Sequence, residues 1–505
     1  MLDSSFKSFG DSLLHDLSSQ SWRRGIVNFF SESIPFSFSS GNEYAALVST
    51  CIQNFSHPLD HPLAILECGA GNGVFAKKCI PMLADKKVSF EYLVTEHSSS
   101  LVNDFETIAT IRDLDYVNTQ LLDIHDFSLA KPFHVGILSY LLDTCPVKIL
   151  ELRAGQLYEW RVAVSVKEDA VLQLMQDGHP VTWDKLAIEH WLSKPLTADR
   201  LALLSRIHDC LTIRWESQAC VVSDLDSTGI LASWLAQQSP EDQGFFNFSS
   251  SWWTLLDSLR QYAADSFMVL FYDFASTHPT QFKTLEESYG RFGVCYFYSV
   301  PFFLFQAYCD YYDVTFFSSQ FPDSDNQIAI MTSIKDSSFT DKVQVLLGQE
   351  EPGKIGYEYT LKIQDALSLD ACLELIKGGE RALSVEQRSD YVFLFSIAST
   401  LYQFQAYDQV IYYTDLILED YGDVSLNALL LKAKALRKRG FIQDALSLIN
   451  KGIHRVPTYD LLYLEKVFIA QELNQMEMVK ESLVLYFDRV MLNPQWHLLD
   501  VLNVL

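Results

Sequence analysis

The sequence predicts an α/β fold: a parallel sheet covered on both faces and carrying a helical insertion, followed by an all-α repeat region. Three observations point there. Short apolar, β-type runs alternate with helical segments between Pro62 and Phe274, a glycine-rich turn follows the first of those runs, and helical periodicity is nearly unbroken after about Gly348. At roughly 150 residues per domain, 505 residues leave room for two to four domains.

From the N-terminus, MLDSSFKSFGDSLLHDL lacks the basic and apolar regions of a secretory leader and carries acids that a transit peptide avoids. The nine cysteines form no CxxC pair, and their odd number and irregular spacing fit a reducing compartment. A cytoplasmic location is expected. His57 and His61 in HPLDHP have an i,i+4 spacing, but the adjacent prolines oppose the helix that would align them as metal ligands. No metal is expected.

The clearest strands are 63–69, 90–96, 132–140 and 266–274. The first and fourth are almost continuously apolar, as strands buried on both faces should be. Segment 180–262 reads as amphipathic helices such as TWDKLAIEHWLSKPL and ADRLALLSRIHDCL, hence the insertion. Two later runs, VCYFYSV and IAIMTSI, are expected to complete the sheet. Gly293 to Cys309 is uncharged but short for a membrane span and is interrupted by Pro301. The polar stretch QEEPGKIG marks a boundary, dividing the chain into 1–347 and 348–505. Beyond it, Ala398, Ala433 and Ala470 recur at intervals of 35 and 37, and the best-formed unit runs through Gly440, Ala445 and Gly452 to Pro457. Small residues at such intervals predict a tetratricopeptide-like array of helix pairs.

The chemistry-bearing feature is Glu67-Cys68-Gly69-Ala70-Gly71-Asn72-Gly73, between a strand and a helix. Three alternate glycines let the backbone turn sharply and approach a bulky ligand. The G-x-G-x-G spacing departs from the dinucleotide pattern and favours an adenosyl cofactor without a pyrophosphate. Glu67 is then placed to receive the positively charged methionine end of such a cofactor through neighbouring amides or water. The next strand ends in Glu96, where Rossmann-type sites bond the ribose hydroxyls. Asp123 follows a third strand and could meet the adenine amino group, with Asp126 competing for that role.

ILECGAGNGVFAKKCIPML, FEYLVTEHSSSLVNDF and VGILSYLLDTCPVKILELRAGQLYEWRV resemble, in order and spacing, blocks of the MidA-like class I S-adenosylmethionine-dependent methyltransferases. That family includes the mitochondrial complex I assembly arginine methyltransferase. The resemblance spans about residues 30–345 and leaves out the repeat region. It implies a Rossmann-like class I methyltransferase sheet, S-adenosylmethionine on Gly69, Gly71, Gly73 and Glu96, and methyl transfer to a protein, in the best-known case to arginine nitrogen. SFSSGNEYAALVSTCI places Glu43 on the family's glutamate, with Asn42 where proline is expected. The late Asp-Tyr-Gly becomes Asp273-Phe274-Ala275. The family's Asn-Glu-x-x-Asp-x-x-Pro reads Ser139-Tyr140-Leu141-Leu142-Asp143-Thr144-Cys145-Pro146. Asp143 and Pro146 match, whereas a tyrosine hydroxyl replaces a carboxylate that would grip a guanidinium through paired bonds. Tyr140, Asp143 and Glu43 are the residues expected around the methyl acceptor.

With 38 basic against 64 acidic side chains the formal charge is −26, which disfavours nucleic acid as a partner. Residues 356–505 hold 14 basic and 20 acidic side chains, so most of the excess lies before the repeats, where it would steer a basic protein segment. Three readings follow: a protein methyltransferase whose repeats recruit its substrate, a catalytically degenerate fold acting as an assembly factor, and a small-molecule methyltransferase.

Overall fold

The computed structural model describes residues 3–22, 38–56, 61–71, 73–97, 114–124, 126–176, 179–194, 203–321, 324–348, 351–457 and 459–490. Its central sheet contains β1 (Leu63–Cys68), β2 (Phe90–Glu96), β3 (Val117–Leu121), β4 (Phe133–Ser139), β5 (Ala263–Ser276), β6 (Thr315–Ser318) and β7 (Asn326–Thr332). They lie in the order β6-β7-β5-β4-β1-β2-β3. All neighbours are parallel except β7, which runs antiparallel to β5 and β6. The order reverses at β1, which sits between β2 and β4, so a crevice opens at the carboxyl end of β1.

Both faces of this sheet are covered, which explains the continuous apolar runs. Leu63 and Ile65 of β1 join Val135, Ile137, Met268, Leu270 and Tyr272 under α1 (Asn42–Ser56) and α2 (Val74–Asp85). On the other face Leu66, Cys68, Leu138, Val269 and Phe271 form a second core. That core is shared with an antiparallel sheet built from Asp3–Lys7, Lys148–Arg153, Gln156–Val166, Leu211–Ala219 and Gly244–Phe248.

Two strand-level expectations change. Segment 180–262 does hold helices, Lys185–Leu192, Leu204–Asp209 and Ser250–Tyr262 among them, but it also supplies two strands of the antiparallel sheet. Leu211–Ala219 follows a helical pattern without a turn signal, and its nine-residue pairing with Tyr158–Val166 decides its conformation. IAIMT of the second run lies in β7, whereas the first, VCYFYSV, forms a hairpin with Tyr289–Phe292, and among the described residues only Val300–Pro301 pairs with β5 as a strand.

After the helix Ser337–Leu347 come α3 (Lys354–Gln364), α4 (Leu369–Ala382), α5 (Tyr391–Gln403), α6 (Tyr407–Tyr421), α7 (Leu426–Lys438), α8 (Ile442–Arg455), α9 (Asp460–Glu472) and α10 (Met476–Val490). Tyr391, Leu426 and Asp460 open successive hairpins 35 and 34 residues apart. Ala398, Ala433, Ala445 and Ala470 are fully buried between them. His57 lies outside the described residues, and among those described no helix is long and apolar enough to cross a membrane.

Gly452 of α8 shows why a small residue recurs. A Cβ there would stand 3.0 Å from both Leu429 Cδ2 of α7 and Leu462 Cδ1 of α9. Gly452→Val is expected to cost about 1–3 kcal/mol through overpacking, read as a lower urea midpoint. A midpoint unchanged from wild type would contradict this close three-helix approach.

Candidate functional site

The turn after β1 takes a path that side chains oppose. Gly69, Gly71 and Gly73 have φ of +68°, +58° and +74°, all left-handed, and Gly73 caps α2 in that conformation. The turn is tied to the neighbouring strand: Ala70 N donates to Thr95 O at 3.0 Å, and Gly71 N donates to Glu96 Oε2 at 3.1 Å. Glu96 is buried at the end of β2, and its Oε1 also accepts from His97 N at 2.8 Å. Leu122 N donates to Glu96 O, which brings the end of β3 alongside and leaves Asp123 exposed just beyond it. Asn72 lies outside the described residues.

Glu67 sits below this turn, in the layer between the sheet and α1–α2. Its Oε2 accepts from Tyr92 OH at 2.9 Å. Burial pushes its carboxyl up to about 7, with the Glu96 charge adding to the rise and the Tyr92 bond opposing it.

Across the switch point, Tyr140 follows β4 with φ +50°, a costly conformation for a bulky residue and one that concentrates at functional sites. Its amide donates to Tyr272 O at 2.8 Å and its hydroxyl to Asn326 Oδ1 at 3.1 Å. The next side chain, Leu141, lies over the glycine turn: a Cβ on Gly69 would be 2.9 Å from Leu141 Cδ1. The Tyr140 loop and the glycine turn therefore face one crevice.

Asp143 and Asp273 form a buried acid pair beneath that loop. Asp273 accepts from Leu142 N at 2.9 Å and from Phe274 N at 3.0 Å, while Asp143 Oδ1 is buried without a hydrogen-bond partner. Desolvation raises both carboxyls above the usual range.

Glu43 does not meet Tyr140 or Asp143 in any hydrogen bond described. Its Oε2 accepts from Gly353 N at 2.7 Å and its Oε1 from Gln387 Nε2 at 3.0 Å, so it links α1 to the helical region. Sequence reasoning missed Tyr44, Tyr272, Asn326 and Glu351. Tyr44 stacks on Tyr272 at 4.7 Å, Tyr140 meets Tyr272 edge-on at 5.2 Å, and Glu351 binds Tyr272 and Asn326. Nothing in the local pattern around any of the four distinguishes it from core or linker. No group of three metal-ligating side chains occurs among the described residues.

No family model matches the chain, and no curated protein matches it. Among solved structures, the chain is similar to an uncharacterized superfamily protein from Burkholderia thailandensis, with 12% identity and a TM-score of 0.37 over 65% of this chain and 87% of that one. A second protein of the same superfamily and organism, bound to S-adenosyl-homocysteine, gives 13% identity and a TM-score of 0.38 over 62% of this chain and 74% of that one. The N-methyltransferase NodS from Bradyrhizobium japonicum, also with S-adenosyl-homocysteine, gives 9% identity and a TM-score of 0.26 over 56% and 85%.

Proposed function

We propose that the chain binds S-adenosylmethionine at the glycine turn and transfers its methyl group to a side-chain nitrogen of a protein recruited by the tetratricopeptide-like helices, in the cytoplasm. One observation carries this reading. Three left-handed glycines stand at the switch point of a Rossmann-like sheet, and their turn is bonded to a carboxylate at the end of the next strand. The residues fit the cofactor. Gly69, Gly71 and Gly73 keep the backbone bare, Glu96 is assigned to the ribose hydroxyls, Asp123 to the adenine amine and Glu67 to the amino end. S-adenosylmethionine supplies a methyl group activated by its sulfonium for in-line displacement.

The chain's own part is proximity and proton handling. The Tyr140 loop holds the acceptor against the glycine turn. Asp143, with an oxygen free of hydrogen bonds and an affinity for protons raised by burial, is assigned to receive the proton that the nitrogen gives up. A second reading, a degenerate fold kept for assembly, is favoured by Tyr140 standing where the family has a carboxylate.

Calorimetry with S-adenosylmethionine tests the proposal. Gly71→Asp sets a second carboxylate beside Glu96 in a left-handed turn and is expected to weaken binding about tenfold or more. Absence of binding by wild type, or equal binding by the variant, would refute it. Given binding, tritiated methyl label on lysate protein that depends on Asp143 supports catalysis, label on small molecules favours a metabolite substrate, and no label favours the assembly reading.

A further inference from the structure

Glu351 lies in the segment between the helix Ser337–Leu347 and α3, outside the sheet, yet its side chain is folded back to 6% exposure. Both of its side-chain hydrogen bonds fall on Oε1, from Asn326 Nδ2 at 2.9 Å and from Tyr272 OH at 3.2 Å. Oε2 accepts none, and no lysine, arginine or histidine pairs with this carboxylate, among the described residues. Oε2 is not among the fully buried unpaired oxygens, so the carboxylate keeps one open acceptor edge with no cation of the described residues on it, where an N–H-bearing cation from outside would be held by a charge-assisted hydrogen bond.

Its surroundings agree. Asn326 also accepts from Tyr140 OH, joining Glu351 to the loop whose Leu141 covers the glycine turn. Tyr44, Tyr140 and Tyr272 form a contiguous aromatic group beside it; Tyr44 and Tyr272 are fully buried and hold the half-buried Tyr140 in place, the one of the three that a cation from outside can meet. The segment is also held in place. Gly353 N donates to Glu43 Oε2, and Gly353 adopts φ +86° against the Phe38 ring, where a Cβ would meet Cδ1 at 2.3 Å.

We propose that Glu351 is the carboxylate of the acceptor site, taking an N–H-bearing cation, a guanidinium or ammonium, through Oε2 while Tyr272 and Asn326 fix Oε1. This makes Glu43 a positioning residue that acts through Gly353. Calling the cation a methyl acceptor rests on the function proposed above; the cation site itself is read out without cofactor.

The test is saturation-transfer NMR on the full chain with N-acetyl-arginine methylamide, N-acetyl-lysine methylamide and the neutral N-acetyl-citrulline methylamide. Wild type is expected to bind a cationic probe in preference to citrulline, and Glu351→Gln to bind it about tenfold or more weakly. The introduced amide oxygen can still accept from Tyr272 and Asn326, so an unchanged melting temperature shows that the loss is electrostatic. Glu43→Gln is expected to give a smaller loss. The proposal is overturned if no cationic probe binds wild type, if citrulline binds equally well, or if Glu351→Gln binds as wild type does. Failure of wild type to bind S-adenosylmethionine would instead sink the methyltransferase reading and leave the probe result intact.

Discussion

Asp420→Ala is expected to lower the unfolding free energy by about 3 kcal/mol and to loosen the helical region from α2. Lys78 of α2 is 2% exposed at its side chain, and its Nζ lies 2.6 Å from Asp420 Oδ2 at the end of α6. Asn42 Oδ1 at 3.0 Å and the Tyr421 ring at 3.9 Å complete its shell. Burial already pushes the ammonium below the ordinary lysine range, with Asp420 as the main opposing influence. Removing that carboxylate strands the charge, which costs more than the pair itself contributes. The loss stays near the lower end for broken buried pairs because Asp420 keeps a third of its side-chain surface in water. Lys78→Met combined with Asp420→Ala is therefore expected to recover most of the loss in urea unfolding. A single variant no less stable than the double would contradict this account. The location gives the pair its consequence: Val74, in the first turn of α2, packs with Tyr391 and Ile417, so the helical region is clamped onto the helix that the glycine turn opens. Limited proteolysis between 348 and 354 should accelerate in Asp420→Ala.

The parts legible in the sequence are those whose signal is local. Leu63–Cys68 reads as a strand because both of its faces meet apolar layers, and the glycine turn reads as a ligand loop because only glycine takes three left-handed positions in five residues without strain. Thr315–Ser318 is too short for periodicity to speak, and Leu211–Ala219 is decided by a partner strand about fifty residues earlier. Glu351 lay hidden for the same reason. A polar stretch with Pro and Gly reads as solvated linker, and only Tyr272, 79 positions away, and Asn326 make it part of the crevice. Glu43 was legible as special but not as to what it touches. Its partners, Gly353 and Gln387, belong to a region that the family resemblance does not reach.

Glu67→Gln is expected to raise stability at pH 8 by about 3 kcal/mol while weakening cofactor binding. Unfolded, Glu67 ionises near 4.5; folded, burial keeps it protonated up to about 7. Between those values the folded chain holds a proton that the unfolded chain has released. Stability therefore falls as pH rises through that window, and the full deficit remains above it. Glutamine keeps an acceptor for Tyr92 and never ionises, so it should match wild type near pH 4.5 and exceed it at pH 8. Asp390, likewise raised to about 7 by burial, leaves a residual slope of the same sign in both proteins, so the difference between them isolates Glu67. Equal stability of the two at pH 8 would show that Glu67 is not desolvated as described. Glutamine would be the more stable choice above about pH 7, and a stabilising substitution of this kind commonly costs function where the residue serves a site. On the proposed function Glu67 serves the cationic amino end of the cofactor: Glu67→Gln should bind S-adenosylmethionine more weakly at pH 8, and the gap should narrow toward pH 6, where wild type also becomes neutral.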